Sequence, residues 1–224
     1  MDLLNEIDER IRARRLLDHP FYTSWVAGTL PVEAMQEYAR QYYAFESSFP
    51  RVLSALHSRS ERPEVRQALL DNLWDEEHGE VNHAELWLRF GEGIGADRAT
   101  IRAADRHEAT QALVETYREL TMEAPLAAGV AAVYAYEAQV PEVAAEKLNG
   151  LRERYGVEDP RTLAFFALHS TLDVEHSAAE RDMIRALAPT AADEDAAVEA
   201  TGRALDAWWA FLDDVRAHCP TPVA

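Results

Sequence analysis

The sequence predicts an all-α fold, a single bundle of seven or eight helices. Three observations carry that prediction. Apolar residues recur at three- and four-residue intervals along nearly the whole chain, the period of a helix face packed on a core. Stretches of alternating β-branched residues with hairpin signals are absent. Proline and glycine stand where helices begin and end.

Taken in order, the first helix spans about residues 2–17, where Arg10, Arg12, Arg14 and Arg15 are interleaved with Ile11 and Ala13 as a solvated face. The second, residues 20–28, opens at His19-Pro20-Phe21-Tyr22, which reads as a packed aromatic staple. Pro31, Pro63 and Pro125 suit the first turns of helices over residues 31–58, 62–90 and 124–154. The Gly91-Glu-Gly-Ile-Gly95 run, Gly156 and Pro189 suit stops, which leaves helices over 98–121, 160–187 and 193–217. No repeat of fixed period and no linker-length loop interrupts this order, so residues 1–224 are expected to form one domain.

Composition narrows the function classes. With 48% hydrophobic and 28% charged residues the chain can bury a large core. A formal charge of −18 repels phosphate backbones and anionic lipid, so neither nucleic acid nor membrane is an expected partner. No run reaches the roughly 18 apolar residues of a membrane span. The first residues are charged from Asp2 onward and lack the apolar stretch of a signal peptide. Cys219, the only cysteine, excludes an intrachain disulfide and fits a reducing compartment. The expectation is a cytoplasmic protein, and a homodimer by the prevalence of symmetric pairs among oligomers.

Three segments carry chemistry. The stretch from Pro125 to Glu137 is small or apolar all round until it reaches one carboxylate, as in a helix running through the core. A buried Glu137 must be protonated, paired with a cation or bound to metal. Pro141, four residues on, has no N–H for the carbonyl of residue 137, so the helix should bend there. His169, Asp173 and His176 are spaced i, i+4, i+7 and project from one helical face behind an apolar approach, a mixed donor set suited to non-haem iron or manganese. Glu76, Glu80 and His83 repeat that spacing, and Glu80 with His83 forms the i, i+3 pair used in di-metal carboxylate bundles. Spacing alone leaves Glu76 and Glu80 both open. Together the segments can hold two metals and leave room for O₂ or substrate.

These motifs resemble the haem-oxygenase-like di-metal oxidases, whose architecture is shared with the TenA and PqqC types. The similarity rests on Glu76-x6-His83, on the run Tyr134-Ala-Tyr-Glu-Ala-Gln-Val-Pro-Glu-Val-Ala-Ala-Glu-Lys147, and on His169-x3-Asp173-x2-His176. His19-Pro-Phe-Tyr22 with Trp25 and Gly28 adds to it. Within the family the chain is similar to the group typified by the Chlamydia protein associating with death domains, which makes p-aminobenzoate for folate biosynthesis. The resemblance implies six metal ligands, Glu76, His83, Glu137, His169, Asp173 and His176, holding Fe/Fe or Fe/Mn, with O₂ as co-substrate and an external reductant. Glu80 then becomes a residue that could hydrogen-bond a ligand. It also implies a self-sacrificing reaction, with Tyr22 as the source of the ring and Lys147 as the amino donor.

The residues add a point of their own. Of the 22 basic side chains Lys147 is the only lysine. An amine can be deprotonated and act as a nucleophile where a guanidinium cannot. Tyr42, Tyr43, Tyr134 and Tyr136 could also sit near the core, as packing, radical relays or hydrogen-bond donors. The alternatives to self-sacrifice are an oxidase of the same fold acting on an external amino acid or fatty acid, a PqqC-like oxidase that does not require the full ligand set, and a non-enzymatic interaction module. A thiaminase-type activity is disfavoured because Cys219 is a poor candidate for a core nucleophile.

Overall fold

The computed structural model describes residues 2–218, without the side chains of residues 171–175. Among the described residues it contains twelve α-helices and one 3-10 turn, with no strand. In chain order these are α1 (Leu3–Ala13), the 3-10 turn (Leu16–Asp18), α2 (Pro20–Ala27), α3 (Val32–Glu46), α4 (Phe49–Arg59), α5 (Pro63–Glu77) and α6 (His83–Gly93). They are followed by α7 (Arg98–Arg102), α8 (Glu108–Met122), α9 (Leu126–Glu137), α10 (Val140–Tyr155), α11 (Pro160–Leu187) and α12 (Ala191–Ala217). The predicted all-α bundle is present, but four of its eight predicted helices are each broken in two.

Each break has a local cause. Pro50 stands in the first turn of α4 and removes the N–H that would have bonded the carbonyl of Glu46. Between α5 and α6 Gly79 adopts φ +87°, a left-handed conformation that glycine reaches without strain, and the Asn82 side chain accepts from the Glu85 N–H at 3.0 Å to start the new helix. Between α7 and α8 the buried Gln41 serves the interrupted backbone: its amide donates to the Asp105 carbonyl at 3.0 Å, and its oxygen accepts from the His107 N–H at 3.0 Å. Between α9 and α10 the bend expected at Pro141 occurs over Ala138 and Gln139. Gln139 then ties this elbow to the N-terminal segment by accepting from the Leu16 N–H at 2.8 Å.

Helix α9 forms the axis. Every residue from Ala127 to Glu137 is buried, against α8, α11 and α12. Small residues allow the close approach. A Cβ on Gly129 would lie 2.6 Å from Leu56 Cδ2 and 3.0 Å from the Leu120 carbonyl oxygen, and the backbone atom cannot swing away. Gly129→Ala should therefore lower the stability measured by urea unfolding by about 1–3 kcal/mol, the usual cost of overpacking. Around α9 lie the fully buried Trp25, Trp87 and Trp208. Their indole N–H groups donate to the Lys147 carbonyl at 3.3 Å, the Ala39 carbonyl at 2.9 Å and the Tyr117 hydroxyl at 3.1 Å.

The outer helices follow their patterns. On α1, Leu4, Ile7 and Ile11 face the core. The neighbouring arginines lie on the solvated side as expected, Arg14 pairing with Asp206 at 2.9 Å and Arg15 with Glu142 at 2.7 Å. His19 caps α2, its Nδ1 accepting from the Phe21 N–H at 3.1 Å. That leaves the proton on Nε2, which donates to Asp213 at 3.1 Å.

Candidate metal centre and lysine–tyrosine chamber

Helix α5 organises the carboxylate and histidine donors. Its last two turns expose Asn72, Asp75 and Glu76 toward α6, α9 and α11, and each meets a residue from a different helix. Glu76 Oε1 lies 2.8 Å from His83 Nδ1. Asn72 Nδ2 donates to both oxygens of Glu137, at 3.1 and 3.0 Å. Asp75 Oδ2 lies 3.2 Å from His176 Nε2. The Gly79 turn brings the first residue of α6 back over the end of α5, so Glu76 and His83 meet across a break and not along one helical face. Glu80, in that turn, is exposed, whereas Glu76 is buried.

The donors fall into two neighbouring sets. Glu76, His83 and His169 are all buried and offer ligand atoms within 4.8 Å of one another. The His83 and His169 rings stand 4.5 Å apart. Two turns further along α11, His176 Nδ1 lies 4.0 Å from Glu137 Oε1. Asp173 is on the same helix between the two histidines, and its side chain lies outside the described residues. His169 Nδ1 is 2.7 Å from the Phe165 carbonyl. A carbonyl only accepts, so Nδ1 carries the proton and Nε2 is the lone-pair nitrogen, the arrangement a metal-binding imidazole requires.

The donors therefore fit a hard or borderline transition metal. Glu76 and Glu137 are 5% and 2% exposed, and two carboxylates at such depth are ionised only with positive charge nearby. Carboxylate oxygens mixed with imidazoles suit iron or manganese better than a thiolate-loving ion.

A second feature adjoins this centre. Lys147 is buried at 4% exposure, and its Nζ donates to the Tyr38 hydroxyl at 2.8 Å. The same nitrogen sits 4.0 Å above the Tyr22 ring. The Tyr22 and Tyr38 hydroxyls are 2.8 Å apart, so Tyr38 bridges phenol and amine. Desolvation holds the Lys147 amine well below its ordinary pKa, and it pushes the Tyr22 and Tyr38 phenols up. Both directions favour the uncharged forms, amine and phenol alike. These groups line a cavity of about 20 Å³ together with Phe165 and Phe166. The Phe165 ring also lies 4.1 Å from that of His169, which makes it the wall shared by chamber and metal donors.

The remaining tyrosines divide. Tyr42 and Tyr136 line the same cavity and hydrogen-bond each other through their hydroxyls. Tyr134 points elsewhere: its hydroxyl donates to Asp8 at 2.8 Å, and Arg181 Nη1 lies 2.7 Å from both Asp8 oxygens, tying α1 to α9 and α11. Burial and then Asp8 push the Tyr134 phenol up to about 12. The sequence reading missed Tyr38, Asn72, Asp75 and Phe165. A trace of two was available, since Asn72 precedes Glu76 and Tyr38 precedes Tyr42 by one helical turn. Cys219 lies outside the described residues.

An all-helical bundle that buries carboxylates and imidazoles from α5, α6, α9 and α11 is built to hold metal. Residues 36–209 match the haem-oxygenase-like family of iron-containing redox enzymes, and the chain belongs to that family. It is 42% identical to a 4-aminobenzoate synthase of Nitrosomonas europaea, over 94% of this chain and 89% of the relative. It is 40% identical to a 4-aminobenzoate synthase of Chlamydia muridarum, over 95% and 89%. Among solved structures, a TenA homologue from Pseudomonas syringae superposes with a TM-score of 0.83 at 17% identity, covering 96% of this chain and 91% of that one, which bears on the fold alone.

Proposed function

We propose that the chain makes 4-aminobenzoate from its own Tyr22, with Lys147 giving the nitrogen and with metal held by Glu76, His83, Glu137, His169, Asp173 and His176. The observation that carries this reading is the Lys147 nitrogen 4.0 Å above the Tyr22 ring, both side chains buried. The relatives named 4-aminobenzoate synthase, at 36–42% identity, support the product. Two iron ions, or iron with manganese, would supply oxidising power from O₂ with electrons from an external reductant.

The chain's own residues do the rest. Desolvation favours the unprotonated, nucleophilic form of the Lys147 nitrogen. Tyr38 orients both partners and, bonded to each, can pass a proton between the amine and the phenol oxygen. Phe165 and Phe166 give the chamber an apolar wall, the surface that disfavours water beside reactive species. At about 20 Å³ the chamber holds roughly one water-sized molecule. An external amino acid or fatty acid needs a pocket of several hundred Å³, so the cavity volume favours an internal ring.

Two predictions test the ligand assignment. Glu76→Gln should lower iron affinity by about 10- to 100-fold or more, the range seen even for groups behind the ligands, whereas Glu80→Gln should leave the bound iron unchanged. Elemental analysis after dialysis against a weak chelator separates them. Equal iron in both variants would remove Glu76 from the set.

A further inference from the structure

A second group of metal-type donors stands outside this core, where the end of α12 meets α3 and the start of α8. His107, which precedes α8, places Nδ1 2.7 Å from Asp214 Oδ2. His218, one helical turn after Asp214, places Nδ1 3.5 Å from the same oxygen, and its ring N–H donates to the Asp214 carbonyl at 2.9 Å, a proton that a bound ion would displace. The two imidazole rings are 4.1 Å apart, and the three donors lie within 4.8 Å of one another. Around a tetrahedral ion with bonds of roughly 2.0–2.2 Å, neighbouring donors stand about 3.3 Å apart, between the two separations measured.

The support behind these donors is also built. His107 turns its other nitrogen, Nε2, to Glu37 Oε1 at 3.3 Å. Glu37 is itself held by Arg40 Nε at 2.8 Å and by the Gln41 amide at 2.9 Å. A carboxylate behind the far nitrogen orients the ring, the usual backing of a metal-binding histidine, and a bound ion would take the place of the proton between Nδ1 and Asp214. The negative end of α12 adds attraction for a cation. The His218 side chain is half exposed, so an ion can enter from solvent.

We propose that His107, Asp214 and His218 form a second site for a borderline divalent ion of the zinc type, with water completing the coordination and Glu37 positioning His107. Two imidazoles and one carboxylate match that ion. Such an ion would clamp the end of α12 to α8, independently of the chemistry at Tyr22.

The test uses untagged, iron-loaded full-length protein carrying Cys219→Ser, so that the thiol next to His218 in sequence is not read as a ligand. Zinc titration followed by dialysis should leave one zinc per chain beyond the core metal, and zinc should raise the thermal midpoint. His218→Ala, an exposed position that does not threaten folding, and the double variant His107→Ala with His218→Ala should both lose the zinc and the stabilisation. Glu37→Gln should weaken binding about 10- to 100-fold, and His169→Ala, which alters only the core set, should keep the surface zinc. Equal zinc retention and equal midpoint shifts in the parent and the double variant would overturn the proposal, leaving a hydrogen-bonded histidine–aspartate cluster only.

Discussion

Tyr22→Phe abolishes 4-aminobenzoate formation when purified, iron-loaded protein is given reductant and O₂, and leaves the iron content unchanged. That is the expected result because the variant keeps the ring and the packing but removes the phenol oxygen of the proposed substrate. The structural cost is one hydrogen bond to Tyr38, worth about 1 kcal/mol, and Tyr38 retains Lys147 as a partner. Mass spectrometry reads both outcomes at once, product in solution and loss of mass at residue 22 in the parent chain. Product at the parental level from Tyr22→Phe would move the reaction to an external substrate.

The second large effect falls on Lys147. Lys147→Met conserves length and apolar volume, fits the aromatic surroundings, and should reduce product to background. Protein grown with lysine labelled in its amine nitrogen should transfer that label to the product, and since Lys147 is the only lysine the label has one origin. An unlabelled product would assign the nitrogen elsewhere. The same residue makes stability depend on pH in a defined direction. Its folded pKa lies well below the ordinary 10.5, so between the two values the unfolded chain holds a proton that the folded chain does not. Parental stability therefore rises with pH across that window and is complete only above the ordinary lysine value. Lys147→Met has no such proton to lose. Urea midpoints of the two proteins should converge as pH rises toward 10.5, and parallel curves would contradict a neutral buried amine.

Much of this arrangement was legible from residue order. Helical periodicity fixes the class, and a wholly apolar approach to Glu137 marks α9 as the axis, because only a helix buried on every side can do without a polar face. The spacing of His169 and His176 placed both on the inner side of α11. The breaks were less legible. Glu76, Glu80 and His83 satisfy a continuous helix as well as a broken one, and the difference rests on a single left-handed glycine at residue 79. A period count is blind to that. Tyr38 and Asn72 were missed for another reason: each acts by touching a side chain more than 60 positions away, and one sequence holds no record of that proximity.

The burial of Lys147 also governs how the protein meets its surroundings. Every solvent-facing cation supplied by a basic side chain is a guanidinium, so acylating and alkylating reagents selective for primary amines find no lysine on the folded surface. They reach this nitrogen only when the core opens. The rate at which residue 147 is modified then reports the frequency of that opening, and the one amine the proposed reaction consumes is shielded from adventitious chemistry beforehand.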